Sequence, residues 1–310
     1  MFEICRYTPE KQTEWDAFIA KSKNGTFLMY RGYMDYHSDR FADCSLMFYQ
    51  KGKLYAVLPA NLNGDTLFSH QGLTYGGVVM DGKCTAADIL HLMEEMNGWL
   101  QALGVKKVVY KPVPHIYSSM PAEEDLYAIF RCGGNLVARG ISTCIEIPAH
   151  RKWRQNRRTA LHKSETEGIT VAVSDDLASF WRILDTNLIH THGIHPVHTL
   201  DEMSKLKGSF PHNIVLWGAK NAQGEMVAGI LVYLTTHVIH SQYIAATPEG
   251  KASGAVDAIM HEILKQNYRY FDFGISTEKG GQYLNEKLIF QKEGFGGRGI
   301  CYDTYEYTLS

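Results

Sequence analysis

Val238-Ile239-His240-Ser241-Gln242-Tyr243-Ile244-Ala245 is followed closely by Glu249-Gly250-Lys251-Ala252-Ser253-Gly254-Ala255. The first stretch reads as a strand and the second as a glycine-bearing turn. Val256, Ile259, Met260, Ile263 and Leu264 then recur at helical spacing. A turn of this kind leaves backbone N–H groups at a helix start to face phosphate oxygens, and the helix dipole adds to the attraction. Gly250, Lys251, Gly254 and Ala255 are therefore candidate donor-binding residues, with an ordinary strand-to-helix turn as the alternative. The spacing is neither GxGxxG nor GxxxxGK[ST], so it fits neither the Rossmann nor the P-loop pattern.

Outward from this stretch, Met226–Leu234 reads as the preceding strand and Tyr270–Ile275 as the one after the helix. The first half shows the same order. Strands at Ser45–Tyr49 and Leu54–Ala60 come before Gly76-Gly77, a helix striped by Ile89, Leu92, Met93, Met96, Trp99, Leu100 and Leu103, and a strand at Lys107–Lys111. The copies share pattern and not residues, which points to two domains of one fold. Thr8 and Pro9 predict the start of a first helix that Asn24-Gly25 ends, and Thr199 with Glu202 predicts a capping box. Strand Ile141–Ile147 closes the first half at Pro148.

The 310 residues carry 31 Lys+Arg against 33 Asp+Glu, a formal net charge of -2, which excludes a generally basic nucleic-acid coat and an acidic solvating tail. With 45% hydrophobic residues, the chain is globular in composition. The start, Met1-Phe2-Glu3-Ile4-Cys5-Arg6, does not read as a secretory signal, and no apolar run is long enough to span a bilayer. Six scattered cysteines without a CxxC pair read as reduced thiols. A cytoplasmic protein is expected.

Two polar clusters stand out. Arg154, Arg157 and Arg158 share one face of a helix and suit phosphate or another polyanion, although a solvated basic face would look the same. His190-Thr191-His192-Gly193-Ile194-His195-Pro196-Val197-His198 puts four imidazoles in nine residues. Gly193 and Pro196 break any helix that would align them on zinc, and no Cys or carboxylate lies inside the run, so no metal is expected. The run reads instead as a loop lining an acceptor pocket, with His195 or His198 as proton acceptor, or as plain surface histidines.

The glycine turn, then Phe271-Asp272-Phe273-Gly274, then Lys292-Glu293-Gly294-Phe295-Gly296, occur in an order that resembles the GNAT superfamily of acyltransferases. More narrowly, it is similar to the tandem-domain Fem-type (FemABX-like) branch and its BioF2-like relatives. The resemblance is strongest over residues 150–307 and architectural before that. It departs from the family where Lys251 and Val256 replace the first and last residues of the usual donor loop, and where Gln291 stands in place of a Phe before Lys292.

The resemblance implies an α/β fold (α+β, mixed sheet) with two tandem GNAT-like domains, each a mixed central sheet flanked by helices. Residues 1–148 would form a degenerate domain and 149–310 the domain with the donor site. It implies that the 238–245 strand splays from its neighbour and offers N–H groups to an acyl carbonyl, and that Lys292 acts on the acceptor or the oxyanion. Period-2 alternation places His240 with Gln242 and Ser241 with Tyr243. His240 is then a general-base candidate and Tyr243 a proton donor to the leaving thiolate, while Gln242, Asp272 and Asn285 join the arginines as substrate-binding candidates.

The expected activity is acyl transfer from acyl-CoA to an amine or hydroxyl of a sugar or cell-envelope precursor. The acceptor would be a small molecule or a lipid-linked glycan, reached by peripheral contact with a membrane. Two alternatives keep the frame: an aminoacyl-tRNA donor serving a peptidoglycan precursor, and a non-catalytic ligand-binding module.

Overall fold

A computed structural model describes residues 1–149 and 151–309, and the side chains of Thr191 and His192 lie outside what it describes. Two compact units form: Met1–Ile141 with Thr277–Tyr283 and Cys301–Ser310, and Ser142–Ser276 with Leu284–Ile300. The division falls earlier than residue 148, and the chain returns to the first unit twice. The cause of the last return is strand pairing, because Tyr305–Thr308 of the strand Arg298–Thr308 lie antiparallel to Lys107–Tyr110.

The first unit contains β1 (Glu3–Arg6), α1 (Gln12–Ile19), α2 (Arg31–Met34), β2 (Ala42–Asp43), β3 (Leu46–Gln50), β4 (Lys53–Leu58), β5 (Asn61–Asn63), β6 (Thr66–Phe68), β7 (Val79–Met80), α3 (Ala86–Ala102), β8 (Lys107–Tyr110) and α4 (Glu124–Arg131). One sheet has the order β1-β3-β4-β7; β6 and β8 pair in parallel across the α3 crossover. The α3 stripe, Ile89, Leu92, Met93, Met96 and Leu100, is buried with Leu46, Phe48, Leu58 and Leu67, and a Thr85–Asp88 capping box starts the helix. The first helix is shorter than the sequence predicts. Thr8 makes no side-chain cap, a 3-10 turn precedes α1, and Asn24 bonds Val78 and Met80 instead of ending a helix.

The second unit takes the end of β9 (Asn135–Glu146), then α5 (Gln155–Thr166), β10 (Thr170–Ser174), α6 (Leu177–His192), α7 (Leu200–Ser209), β11 (Ile214–Lys220), β12 (Met226–Leu234), β13 (Val238–Ala246), α8 (Pro248–Ala252), α9 (Ala255–Ile263), β14 (Tyr270–Ile275) and α10 (Glu286–Glu293). Its strands run β10-β11-β12-β13-β14-β9, with β13 and β14 parallel and the other pairs antiparallel. Each unit thus mixes parallel and antiparallel pairs under packed helices, the first with the antiparallel sheet β1-β3-β4-β7 and the parallel pair β6–β8, the second in one mixed sheet. The α9 residues Ile259, Met260 and Ile263 pack with Ile230, Val232, Ile239 and Phe271. Gly229, next to Ile230, lies under Phe180 of α6. Neighbouring strand residues point to opposite faces, so α9 and α6 cover opposite sides of the sheet. Among the described residues, no helix is long and apolar enough to cross a membrane.

His70 of the first unit is 3% exposed and holds a left-handed φ of 72°. Burial, helped by the charges of His37, Lys111 and Arg31, pushes its imidazole from 6.5 down to about 3. The unfolded chain therefore takes up this proton first as the pH falls. The stability His70 protects is present above pH 6.5 and is lost between 6.5 and 3. Denaturant unfolding at pH 7, 6 and 5 should show wild-type stability falling by up to about 1.4 kcal/mol per pH unit more than that of His70→Asn, which keeps a side chain tolerant of the left-handed region. Parallel curves for the two proteins would contradict this.

Candidate active site

β13 is not a regular strand. Val232 faces Ser241 and Leu231 faces Tyr243, which leaves Gln242 as the extra residue of a β-bulge. Directly opposed residues share a face, so His240 (opposite Tyr233) and Tyr243 (opposite Leu231) lie on one side, and Ser241 (opposite Val232) on the other. This corrects the period-2 expectation: one inserted residue shifts the alternation and brings His240 and Tyr243 together on the α6 side.

The bulge is followed by a fork. β13 and β14 pair only at Val238–Tyr270, Ile239–Phe271 and His240–Asp272, and beyond that point Ser241–Ala246 run on with β12 alone. The backbone polar groups of this stretch that face β14 lie in the opening between the strands. At the crotch, His240 Nδ1 lies 3.0 Å from Asp272 Oδ2. Asp272 is fully buried, and its Oδ1 accepts hydrogen bonds from the Ser142 hydroxyl and from Gly274 N (3.3 Å). A carboxylate only accepts, so Nδ1 of His240 carries the proton and Nε2 is the atom that can take one from a nucleophile. The His240 side chain is 13% exposed, so the ring is not sealed from solvent.

Lys292 approaches the same corner from α10. Its ammonium donates to Gly274 O (2.8 Å) and Ile275 O (3.0 Å). Gly274 is left-handed, and a Cβ there would stand 3.5 Å from His240 Cε1. Burial brings the Lys292 amine down to about 8, with the charge of Asp272 acting the other way. Lys292 therefore fixes the backbone against which His240 rests.

The three arginines go elsewhere. Arg154 donates to Phe290 O (3.1 Å), meets Glu293 at 3.4 Å and stacks on Phe290. Arg157 donates to Gln291 O (3.2 Å), meets Asp257 at 3.4 Å and stacks on Phe295. Both satisfy carbonyls at the C-terminal end of α10, where cations are favoured, and so hold the helix that carries Lys292. Arg158 is exposed and bonds Gln155 within its own helix. The expectation of a shared polyanion face is thus corrected for Arg154 and Arg157, whose guanidinium groups are engaged inside the unit.

The glycine turn contains a short helix. Thr247 caps α8 by accepting from Gly250 N (3.0 Å), and Lys251 N bonds Thr247 O, so these two amides are not offered to a phosphate as expected. Gly250 and Gly254 are glycines for packing reasons. A Cβ would run into the carbonyl of Val227 at one and of Ala160 at the other, and Gly254 has a φ of 75°. Gly254 starts α9 with no side-chain cap, and Ala255 is its first residue. Lys251 Nζ lies 3.5 Å from Asn187 Oδ1.

The histidine run separates. Gly193 ends α6 in the left-handed conformation, as its position suggests. His195 is exposed and pairs with Asp185 at 2.7 Å. His198 is 6% exposed and its Nδ1 lies 2.7 Å from the Tyr243 hydroxyl, whose phenol burial raises; Trp181 of α6 packs edge-on against the same ring. Asn285 caps α10 through Leu288 N (3.0 Å) and serves that helix. Ser142 has no place among the sequence candidates, although a serine inside the apolar stretch Ile141–Ile147 was the signal available.

Residues 150–283 match the family model described as acetyltransferase (GNAT) domain. The chain carries a GNAT acyltransferase domain. By that domain it is an acyltransferase, and several solved structures similar to it agree in fold. FemX shares 12% identity at a TM-score of 0.69, covering 99% of this chain and 97% of that one. The C-terminal domain (DUF2156) of a putative lysylphosphatidylglycerol synthetase from Agrobacterium fabrum shares 12% at 0.61, covering 97% and 92%. A tandem GNAT protein from the clavulanic acid biosynthesis pathway shares 11% at 0.51, covering 100% and 99%. No curated protein sequence matched. The tandem GNAT frame expected from the sequence is thus the frame observed.

Because burial holds the Lys292 amine near 8 and the unfolded chain titrates it near 10.5, the unfolded state binds more protons between those values. Across that window stability rises with pH, and Lys292→Met removes the rise. Unfolding midpoints at pH 7.5, 8.5 and 9.5 should give the wild type a slope up to about 1.4 kcal/mol per pH unit steeper than the variant. Equal slopes would show that the ammonium is not desolvated.

Proposed function

We propose that this chain transfers an acyl group from acyl-CoA to an amine or hydroxyl of a sugar or cell-envelope precursor, with His240 as general base. The observation that carries this reading is the fork itself: two parallel strands part immediately after a His–Asp pair. A thioester laid along the open edge of β13 would place its carbonyl oxygen on backbone N–H groups, which are suited to a developing oxyanion. His240, with Nδ1 held by Asp272, accepts the proton of the attacking amine or hydroxyl at Nε2. The nitrogen or oxygen bonds to the acyl carbon, the C–S bond breaks, and the thiolate leaves with a proton from solvent or from Tyr243. Lys292 and Ser142 act on the position of this pair, Lys292 through the Gly274–Ile275 backbone and Ser142 through Asp272 Oδ1.

A second reading keeps the fold and changes the donor to aminoacyl-tRNA. The likeness to FemX over nearly the whole chain favours it. The engagement of Arg154 and Arg157 within α5–α10 weighs against it, because it leaves fewer cations for a polyanion. Binding of charged tRNA that weakens steeply with salt would support this donor.

Purified protein mixed with a panel of acyl-CoAs and an amino-sugar nucleotide should release free CoA, read by mass spectrometry. His240→Ala and Asp272→Asn should each lower kcat/KM by about 10²–10⁴-fold with donor affinity nearly unchanged. The reading fails if no acyl-CoA binds, or if His240→Ala turns over at the wild-type rate.

A further inference from the structure

Gly274 leaves room beside the nitrogen that would take the proton. A Cβ built there would stand 3.5 Å from Cε1 and 3.9 Å from Nε2 of His240. Its chain neighbours aside, it would meet no other described atom within 4 Å. The position is thus bounded by the reactive edge of the imidazole and otherwise unfilled. Its φ of 73° disfavours any side chain, which keeps it so.

The side chain that follows is large, apolar and exposed. Ile275 opposes Ser142 across β14 and β9, and the Ser142 hydroxyl bonds Asp272, so Ile275 stands on the same side of the sheet as His240. Two leucines carry the apolar surface onward. The amide of Asn285 donates to Ser276 O (2.9 Å), which brings Leu284 alongside the end of β14. Leu288 lies one turn from Lys292 on the face of α10 that Lys292 turns to the Gly274 and Ile275 carbonyls. Ile275, Leu284 and Leu288 are 48%, 42% and 37% exposed. One exposed aliphatic side chain is ordinary, but three gathered at one corner of a site mark a surface that is covered when the site is filled.

We propose that Ile275, Leu284 and Leu288 seat a long alkyl chain, the acyl group of the donor, so that the protein takes medium- or long-chain acyl thioesters in preference to acetyl. The proposal rests on the transfer reading above and names its substrate class. The occupant follows from continuity with the reacting corner. The acyl carbon faces Nε2 of His240, so the chain it carries starts beside Gly274, and Ile275 is the next side chain along β14. An acetyl group ends within that corner and leaves the leucines in water. The bonds exchanged are those already given. The acyl carbon leaves sulfur for nitrogen or oxygen, the nucleophile's proton goes to His240, and the thiolate takes one from solvent or Tyr243.

Binding to this strip is apolar burial, so its test needs no acceptor. Calorimetric titration with CoA and with acetyl-, butyryl-, octanoyl- and lauroyl-CoA, each below its micelle concentration, should give dissociation constants that fall with chain length. The fall should reach about fourfold per CH₂ laid on the strip. In Leu284→Gln/Leu288→Gln, polar replacements at exposed positions, the octanoyl-to-acetyl affinity ratio should drop by at least about fivefold. Ile275→Thr, which keeps a β-branched residue in the strand, should move the ratio the same way. A flat series among acyl-CoAs that do bind overturns the inference and leaves the transfer reading standing, and it does so on wild-type protein alone. An unchanged ratio in folded variants also overturns it, since the chain would then lie elsewhere. A flat acyl series with saturable binding of octylamine would assign the strip to the acceptor's chain, against the proposal. If none of the thioesters binds, the transfer reading fails and this inference with it.

Discussion

The pair formed by His240 and Asp272 is the last rung between β13 and β14. The transfer reading proposed for the second unit depends on that pairing stopping where it does. If the two parallel strands stayed zipped to Ala246, the backbone groups of β13 would be spent on a ladder, and the imidazole would close over filled space. The bulge at Gln242 helps end the rung, since an extra residue strengthens the local twist and turns the strand away from its neighbour. Asp272 is fully buried, and His240, Ser142 and Gly274 hold both of its oxygens. The His240 imidazole is thereby held in one tautomer and one orientation.

Around this centre the helices serve as braces. α10 places Lys292 on the Gly274 and Ile275 carbonyls, and α5 grips the end of α10 with Arg154 and Arg157. α9 enters at Gly254 pressed against the Ala160 backbone of α5. A family-like lysine and a basic run can therefore act on the chemistry from a distance, by fixing the corner where His240 sits.

Much of the frame was legible in the residues. The α3 and α9 stripes, the Thr199–Glu202 capping box and the βαβ order in each half all follow from local spacing, and local spacing is what folded here. The errors came from non-local causes. The strand Arg298–Thr308 belongs partly to the first unit because of its partner β8, which lies far away in sequence. The arginines of α5 share a face as read, but nothing in their spacing announces that the carbonyls of α10 will claim them. A single bulge, invisible in Ser241-Gln242-Tyr243, reverses which side chains stand beside His240. Ser142 becomes meaningful only once Asp272 is known to lie within its reach.

The most direct measurement is a crystal structure with a non-hydrolysable acyl-CoA in which a methylene replaces the thioester sulfur. The account predicts the pantetheine arm between β13 and β14, with the acyl carbonyl oxygen about 2.7–3.1 Å from a β13 amide beyond His240 and Nε2 of His240 facing the acyl carbon. A donor bound elsewhere, with the fork empty or closed by side chains, would contradict it.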